Sequence, residues 1–283
     1  MRLNEKIGLG TVQFGIKYGI ANKTGQTPAA EVTRILDKAY QYGVRIVDTA
    51  SAYGNAEQVL GYNDLHRFQL VSKFMPVTIG RSLADQLNHT LFHLQIDSLY
   101  GFLAHRPMSL LENKNQWQEL EYLKSDGLVK KIGYSLNNTN ELTELLDNNM
   151  MPDLIQVPYN YFDNRFKEQL IELKMRGCEV HARSAFLQGL FFMNPDSLSP
   201  FFDKVKDILK NLQLTYGDHL PGVLLKYVLK LDYVDRVILG VENEYQLTEN
   251  IKKMEEAPEI PEFNSAIVDS ILMPSNWPNK QDQ

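Results

Sequence analysis

Three side chains stand one apiece at the downstream ends of short apolar runs: Asp48 after Arg45-Ile46-Val47, Lys73 after Leu70-Val71-Ser72, and His105 after Gly101-Phe102-Leu103-Ala104. A fourth, Tyr53, follows in the loop Thr49-Ala50-Ser51-Ala52-Tyr53-Gly54. A carboxylate, a phenol, an amine and an imidazole are the groups of general acid–base chemistry, and an amine at a strand end can also form a Schiff base with a carbonyl. Taken singly, each has a plain structural use: Asp48 can cap a helix, Lys73 can end a strand in solvent, and His105 can be a satisfied loop histidine. All four at one rim are harder to obtain by chance, so they are read together as a catalytic constellation.

A common rim requires a scaffold that aims successive strand ends at one place. Candidate strands recur along the chain at Ile7 to Thr11, Arg45 to Val47, Gln69 to Ser72, Ser98 to Ala104, Lys131 to Tyr134, Leu154 to Val157, Glu179 to Ala182 and Val237 to Leu239. Between them, apolar residues fall at helical spacing, as in Val32, Ile35, Leu36 and Ala39, or Leu83, Leu87, Leu91 and Leu94. Thr27-Pro28, Asn137-Asn138-Thr139 and Pro221 read as helix starts, and Gly43, Gly127 and Gly177 as helix ends. Eight strands alternating with helices predict an α/β fold, a single (β/α)8 barrel, in which side chains at the C-terminal strand ends converge on the active rim. One barrel domain is expected over residues 1–283, with 274–283 as a flexible tail and Leu190 to about Pro200 as a long loop after the seventh strand.

Composition narrows the function. Of 283 residues, 43% are hydrophobic and 23% charged, which suits a globular protein with a large core and excludes disorder. The formal net charge of -6 has the wrong sign for a nucleic-acid partner. Cys178, the single cysteine, excludes an intrachain disulfide or a thiolate zinc cluster and fits a reducing, cytoplasmic setting. No signal-like or membrane-spanning run is present, so no membrane partner is expected. His89 and His93 are spaced as metal ligands on a helix would be. At about 100° per residue they fall opposite Leu83, Leu87 and Leu91, so they are read as solvated and no metal is expected. Tyr159, Tyr161 and Trp117 are read as packing aromatics, and Trp277 as either disordered or closing a substrate pocket.

The chain resembles the aldo-keto reductase family. The resemblance is carried by Gly8-Leu9-Gly10-Thr11, Asp48-Thr49-Ala50 with Tyr53-Gly54, Lys73 after Val71-Ser72, and Leu103-Ala104-His105-Arg106-Pro107. Ile132-Gly133-Tyr134-Ser135, Gln156-Val157, Gln188-Gly189 and Gln246-Leu247-Thr248-Glu249-Asn250 continue it in order and spacing. Gly8-x-Gly10 is not read as a Rossmann fingerprint, since neither a third glycine at the motif's spacing nor a helical pattern is expected after it. The resemblance implies an oxidoreductase that reduces a small aldehyde or ketone, sugars included, with NADP(H) or NAD(H). In that chemistry Tyr53 is the general acid, Lys73 the cation that makes a phenol of ordinary pKa about 10 a usable acid, Asp48 the partner of Lys73, and His105 a hydrogen-bond donor to the carbonyl. A Schiff-base lyase using Lys73 and a non-catalytic nucleotide sensor on the same fold are the alternatives.

For the cofactor, the resemblance puts Gly10, Thr11 and Asp48 at the nicotinamide ribose, and Ser135 and Gln156 at the carboxamide. Arg183, followed by Ser184, occupies the place where an aromatic often stacks on the nicotinamide. Phe186 and Gln188 fall in the pyrophosphate loop, and the segment after Gly189 is expected to fold over the cofactor like a belt. Gly240, Val241, Glu242, Gln246, Glu249 and Asn250 fall at the adenine end. Relatives that prefer the phosphorylated cofactor generally carry lysine or arginine in that stretch; this chain carries Glu242 and Glu244 instead, which predicts a weakened NADPH preference. Arg236, Lys252 and Lys253 are the nearest cations in sequence that could offset this. Leu136 replaces an asparagine usual after the serine, Val12 stands where bulkier residues are frequent, and the N-terminal hairpin common in the family is expected to be shortened or absent.

Overall fold

A computed structural model describes residues 2–78, 81–263 and 265–278. Its strands are β1 (Ile7–Gly10), β2 (Ile46–Asp48), β3 (Gln69–Phe74), β4 (Leu99–Ala104), β5 (Val129–Ser135), β6 (Leu154–Pro158), β7 (Glu179–Arg183) and β8 (Arg236–Gly240). Every neighbouring pair is parallel, and β1 pairs with both β2 and β8, so the sheet closes into a barrel in sequence order. The helices are α1 (Val12–Gly15), α2 (Ala29–Gln41), α3 (Ala56–Gly61), α4 (Leu83–Leu94), α5 (Ser109–Glu112), α6 (Asn115–Ser125), α7 (Thr139–Asp147), α8 (Lys167–Met175), α9 (Asp203–Tyr216), α10 (Leu220–Leu229), α11 (Glu244–Glu256) and α12 (Asp269–Leu272). Among the described residues no helix is long and apolar enough to cross a membrane.

Alternation of side chains along the strands separates two apolar layers. Val47, Leu70, Phe102, Ile155 and Leu239 point outward into the large core between sheet and helices. Ile46, Val71, Leu103, Leu154 and Ile238 form a separate cluster that fills the barrel interior. On the helix side, α2 buries Val32, Ile35, Leu36 and Ala39 as its spacing predicts. The Asn138 side chain accepts from Glu141 N in a capping box, and Pro221 lies in the first turn of α10. Gly43, Gly127 and Gly177 follow α2, α6 and α8 with φ of 87°, 78° and 86°.

Several expectations need correction. Strand ends run further than apolar content alone marks: parallel pairing carries β2 through Asp48, opposite Gly10 and Val71, and β5 through Ser135, opposite Gln156. The buried face of α4 is Leu83, Gln86, Leu87, Thr90 and Leu94, so Leu91 sits at its edge and His93 is half-buried rather than solvated. Two polar residues on that face, Gln86 and Thr90, hid its direction from a purely apolar stripe. The long loop after β7 is a run of 3-10 turns, Leu187–Phe192, Pro195–Ser197 and Pro200–Phe202, packed on α9 through Leu187, Leu190, Phe191 and Phe202. Trp277 does not dangle: its Nε1 donates to Ile271 O (2.9 Å) and its ring meets Phe202 edge-on. Residues 279–283 of the expected tail lie outside the described residues.

At the N-terminal end of the barrel, Glu179 gathers a polar plug. Its carboxylate accepts from Tyr100 Oη (2.6 Å), His181 Nε2 (2.8 Å) and Lys131 Nζ. Burial works to raise the Glu179 carboxyl, but the His181, Lys131 and Tyr100 hydrogen bonds win and hold it well below the ordinary value of 4.5. A depressed carboxylate stabilises the fold fully above its unfolded pKa, and the contribution drains as pH falls below that value. Glu179→Gln should therefore cost roughly 1–3 kcal/mol near neutral pH. Urea denaturation at about pH 7 and about pH 3.5 should show the gap from wild type narrowing at the lower pH; a gap independent of pH would contradict the account.

Candidate active site

The site is the next polar layer above the apolar barrel interior. Because strand side chains repeat every second residue, Ile46, Val71, Leu103, Leu154 and Ile238 are each followed two positions later by Asp48, Lys73, His105, Gln156 and Gly240. A single geometric rule thus delivers five positions to one rim.

Lys73 and Asp48 form its centre, only 1% and 2% exposed. Lys73 Nζ donates to Asp48 Oδ1 (2.6 Å) and Thr49 O (2.8 Å), and stands 3.5 Å from Tyr53 Oη. The other carboxylate oxygen, Asp48 Oδ2, accepts from Gln156 Nε2 (2.7 Å). Burial pulls the ammonium toward its neutral form, yet the Asp48 charge, with Tyr53 beside it, raises Lys73 above its ordinary value. An ammonium with three acceptors, one of them a carboxylate, stays charged.

Tyr53 is placed by backbone rather than by a helix. The loop after β2 is stitched to β3 by Thr49 N donating to Val71 O (2.8 Å) and Ser51 N to Lys73 O (3.1 Å). Gly15 closes the other side: a Cβ there would lie 1.7 Å from Tyr53 O. Gly54, at φ 58°, in turn abuts Gly15 O. The sequence reading picked out Gly54 and missed Gly15, whose signal is visible only once α1 is seen against the loop. The Tyr53 ring meets His105 edge-on at 5.7 Å between centroids.

His105 follows β4 directly, with its backbone N–H donating to Phe74 O (2.9 Å). Burial, joined by the positive charges of Lys73, Arg183 and Arg106, lowers its pKa to about 3. The imidazole is therefore neutral near pH 7, suited to hydrogen bonding a substrate oxygen rather than to delivering a proton from a cation. Its Nδ1 is buried with no hydrogen-bond partner. Beside it, a cavity of about 430 Å³ is lined by Pro76, Arg106, Pro107, Met108, Asn137 and Glu141, among others.

The remaining expected residues fall into three groups. Gly10, Thr11, Ser135, Gln156 and Gly240 lie at strand ends on the same rim as the quartet, and Thr11 Oγ1 donates to Asp48 O (3.0 Å). At Gly240 an added Cβ would stand 3.0 Å from Gln13 Oε1, itself buried and without a partner, so a shallow cradle carries an unsatisfied acceptor there. Arg183 closes the β7 end, its Nη2 donating to Leu136 O (2.9 Å) and Asn137 Oδ1 (2.8 Å). Leu136 itself is buried in the core and presents only its carbonyl.

The second group is the β7 loop. Ser184, Leu187 and Gln188 all have positive φ (63°, 45° and 52°), followed by Gly189 at 93°. Such clustered left-handed backbone costs energy, and the turn is held by its own backbone, with Leu187 N donating to Ser184 O and Gly189 N to Phe186 O (both 2.8 Å). Gln188 Nε2 donates to Tyr18 Oη (2.9 Å), linking the loop to the one after β1. Tyr18, which sequence reasoning missed, lies within electrostatic reach of Arg183 and Tyr53. The expected belt is thus limited to a clasp at Gln188–Gly189; Phe186 turns its ring onto Phe192 at 5.1 Å, and the rest packs on α9.

The third group is the N-terminus of α11. Asn243 caps it by accepting from Gln246 N (2.8 Å), and Gln246 Oε1 accepts from Glu242 N (2.8 Å). Glu244 N donates to Glu31 Oε1 of α2 (2.7 Å), and Glu242 Oε2 accepts from Thr24 Oγ1 (2.8 Å). Val241 is buried, whereas Glu249 and Asn250 are half-exposed further along α11. Arg236 begins β8 at the opposite end of the barrel from Gly240. Lys252 and Lys253 lie two turns beyond Glu244, about 12 Å along the axis.

Comparison with known proteins agrees with the barrel fold. The family model "Aldo/keto reductase family" matches residues 6–272. Glyoxal reductase of Bacillus subtilis is 30% identical over 171 residues, covering 58% of this chain and 61% of the relative. Methylglyoxal reductase DkgA of Salmonella typhimurium is 31% identical over 124 residues, covering 41% of this chain and 44% of the relative. The alignments thus span about half the length of these curated relatives. Among solved structures, an aldo-keto reductase from Klebsiella pneumoniae in complex with NADPH superposes with a TM-score of 0.67 at 19% identity, covering 89% of this chain and 86% of the other. With the family model matched over nearly all of its length and the barrel closed as described, this chain belongs to the aldo-keto reductase family.

Proposed function

We propose that this protein is an NAD(P)(H)-dependent carbonyl reductase acting on a small aldehyde or ketone. The observation that carries the reading is the buried Lys73 ammonium held between Asp48 Oδ1 at 2.6 Å and Tyr53 Oη at 3.5 Å. The rim fits a dinucleotide on its own terms: the unsatisfied Gln13 Oε1 at the Gly240 cradle can accept from a ligand hydroxyl or amine, and the positive charges of Lys73, Arg183 and Arg106 around His105 suit an anionic one. Gly10, Thr11, Ser135, Gln156, Arg183, Ser184 and Gln188 would hold it. When bound, the cofactor supplies a hydride to the carbonyl carbon.

Everything else falls to the chain. His105, neutral, orients the carbonyl oxygen by a hydrogen bond, and Tyr53 Oη delivers the proton that completes the alcohol. The resulting phenolate is stabilised by Lys73, whose charge Asp48 balances. A Schiff-base reaction asks for a neutral amine, and Lys73 is held charged by its partners, so the lyase reading loses its support. Relatives named for glyoxal and methylglyoxal reduction support a small, reactive dicarbonyl as the first substrate to try.

Tyr53→Phe should abolish reduction of methylglyoxal while leaving the dissociation constant for reduced cofactor within a factor of about two, because the phenol acts on the proton and not on the dinucleotide. Retained turnover, followed by loss of reduced-cofactor absorbance, would remove Tyr53 from its role. Lys73→Met should lose at least about a hundredfold in kcat, and its residual rate of alcohol oxidation should climb with pH as the phenol ionises unaided. A profile of the same shape as wild type would show that Lys73 does not act on Tyr53.

Cofactor choice follows from α11. In its first turn the Glu244 and Gln246 N–H groups are taken by Glu31 and Asn243, and the Glu242 N–H just before it by Gln246, so a 2′-phosphate meets the Glu31 and Glu242 carboxylates and no cation from this turn. NADH should bind comparably to NADPH or better. Fluorescence titration of both at equal ionic strength decides this: NADPH tighter by a factor of about a hundred, roughly 2.7 kcal/mol, would contradict the reading.

A further inference from the structure

We propose that Glu57 of α3 and His89 and His93 of α4 form a binding site for a divalent transition-metal ion of borderline softness, of which Zn2+ is the representative. One potential ligand atom from each of the three residues lies within 4.8 Å of the others. The histidines are one turn apart, with ring centroids 3.9 Å from each other, the arrangement by which a helix offers two imidazoles to one ion. The third ligand comes from a different helix, which is why sequence spacing alone left the pair as a solvated couple.

Glu57 is the unusual member. It is only 4% exposed, yet among the described residues no lysine or arginine makes an ion pair with it. Its carboxylate is instead oriented by hydroxyls, Oε1 accepting from Ser72 Oγ (2.6 Å) and Thr90 Oγ1 (3.1 Å). Hydrogen-bonded support of this kind fixes a ligating carboxylate and still leaves lone pairs for an ion. A buried carboxylate facing two imidazoles lacks one thing, a positive charge, and a divalent ion provides it.

The fit requires only side-chain motion. Tetrahedral zinc with bonds of about 2.0–2.2 Å places its ligand atoms roughly 3.3 Å apart, so the three groups must close by an ångström or so. His89 is exposed and His93 half-buried, which leaves them free to turn; the present contact of His93 Nε2 with Gln58 Nε2, at 3.4 Å, is weak. The helices themselves are already in register: a Cβ on Gly61 would lie 2.0 Å from His93 O, so α3 and α4 touch through backbone at this level. Two nitrogens and one oxygen favour zinc, cobalt, nickel or copper over magnesium or calcium, with water completing the shell.

The site is separate from the catalytic rim. Ser72 alternates with Lys73 along β3 and so faces the helices, placing the ion outside the barrel. There it clips α3, which follows the Tyr53 loop, to α4, which follows β3. An ion that binds the folded chain and not the unfolded one raises thermal stability.

Calorimetric titration of the chelator-treated full chain with ZnCl2 should give one ion bound per chain, with a rise in Tm on loading, and Co2+ should give the visible absorption of a tetrahedral site. His89→Ala and His93→Ala should each weaken Zn2+ binding by at least about tenfold and abolish the Tm rise, while matching wild type in Tm when chelated to within about 3 °C. His89 is exposed, so its variant folds irrespective of the outcome. Absence of saturable binding below about 0.1 mM Zn2+, or binding in both variants as tight as in wild type, would overturn the proposal, the latter by placing the ion elsewhere on the chain.

Discussion

The Lys73–Asp48 ion pair is the constraint around which the molecule is arranged. Two charges taken almost wholly out of water lose several kcal/mol of hydration each, and their mutual attraction offsets this only when every remaining polar atom is partnered. The structure meets the requirement with Gln156 on the second carboxylate oxygen and the Thr49 carbonyl on the ammonium. It also brings the Tyr53 hydroxyl to the ammonium. These partners come from β2, the loop behind it, β3 and β6, so the pair is satisfied only in a closed barrel with correct registers. Beneath it, the apolar layer of Ile46, Val71, Leu103, Leu154 and Ile238 denies water a route from below. The same desolvation that makes the pair costly makes its field strong at the phenol and keeps His105 neutral.

The opposite electrostatic logic governs the rim near α11. A helix N-terminus attracts anions, and here the chain has supplied its own, with Glu31 reaching across from α2. Burial opposes ionisation of Glu31, but the Glu244 amide and the adjacent Arg34 pull its carboxyl below the ordinary range, so it stays charged and keeps its place. That contact ties α2, the first long helix, to α11 and so joins helices from the two ends of the chain across the β1–β8 seam.

How much of this was legible beforehand follows from the range of the forces involved. Asp48, Lys73 and His105 could be read because each sits at a fixed offset from an apolar run, and strand periodicity converts that offset into a direction; Tyr53, in the loop after Asp48, was read from its place beside them and from the resemblance. The barrel followed from the alternation of the two periods. Boundaries were short by one or two residues wherever a charged or polar side chain, such as Asp48, Lys73 or Ser135, continued a strand on the inner face. What stayed hidden was contact between segments distant in sequence. Gly15 against Tyr53, Tyr18 against Gln188 and Glu57 against the α4 histidines leave no local signature, since nothing within a few residues of either partner requires the other. The buried face of α4 was misjudged for a related reason: Gln86 is buried because its amide bonds both backbone groups of Met75, a partner outside the helix. Trp277 was left undecided because its partner, Phe202, belongs to a segment with no regular period.

Cys178 has a practical meaning. It is the only cysteine, 2% exposed at the start of β7, and burial pushes its thiol up to about 12, leaving almost no thiolate at neutral pH. Since the thiolate is the form that alkylating reagents trap, the native thiol reacts with them only slowly. A cysteine introduced at an exposed position, for example on the rim at Tyr18 or at the outer end of α4, would be the one reactive thiol, and a fluorophore or spin label could be attached there without first removing the natural one.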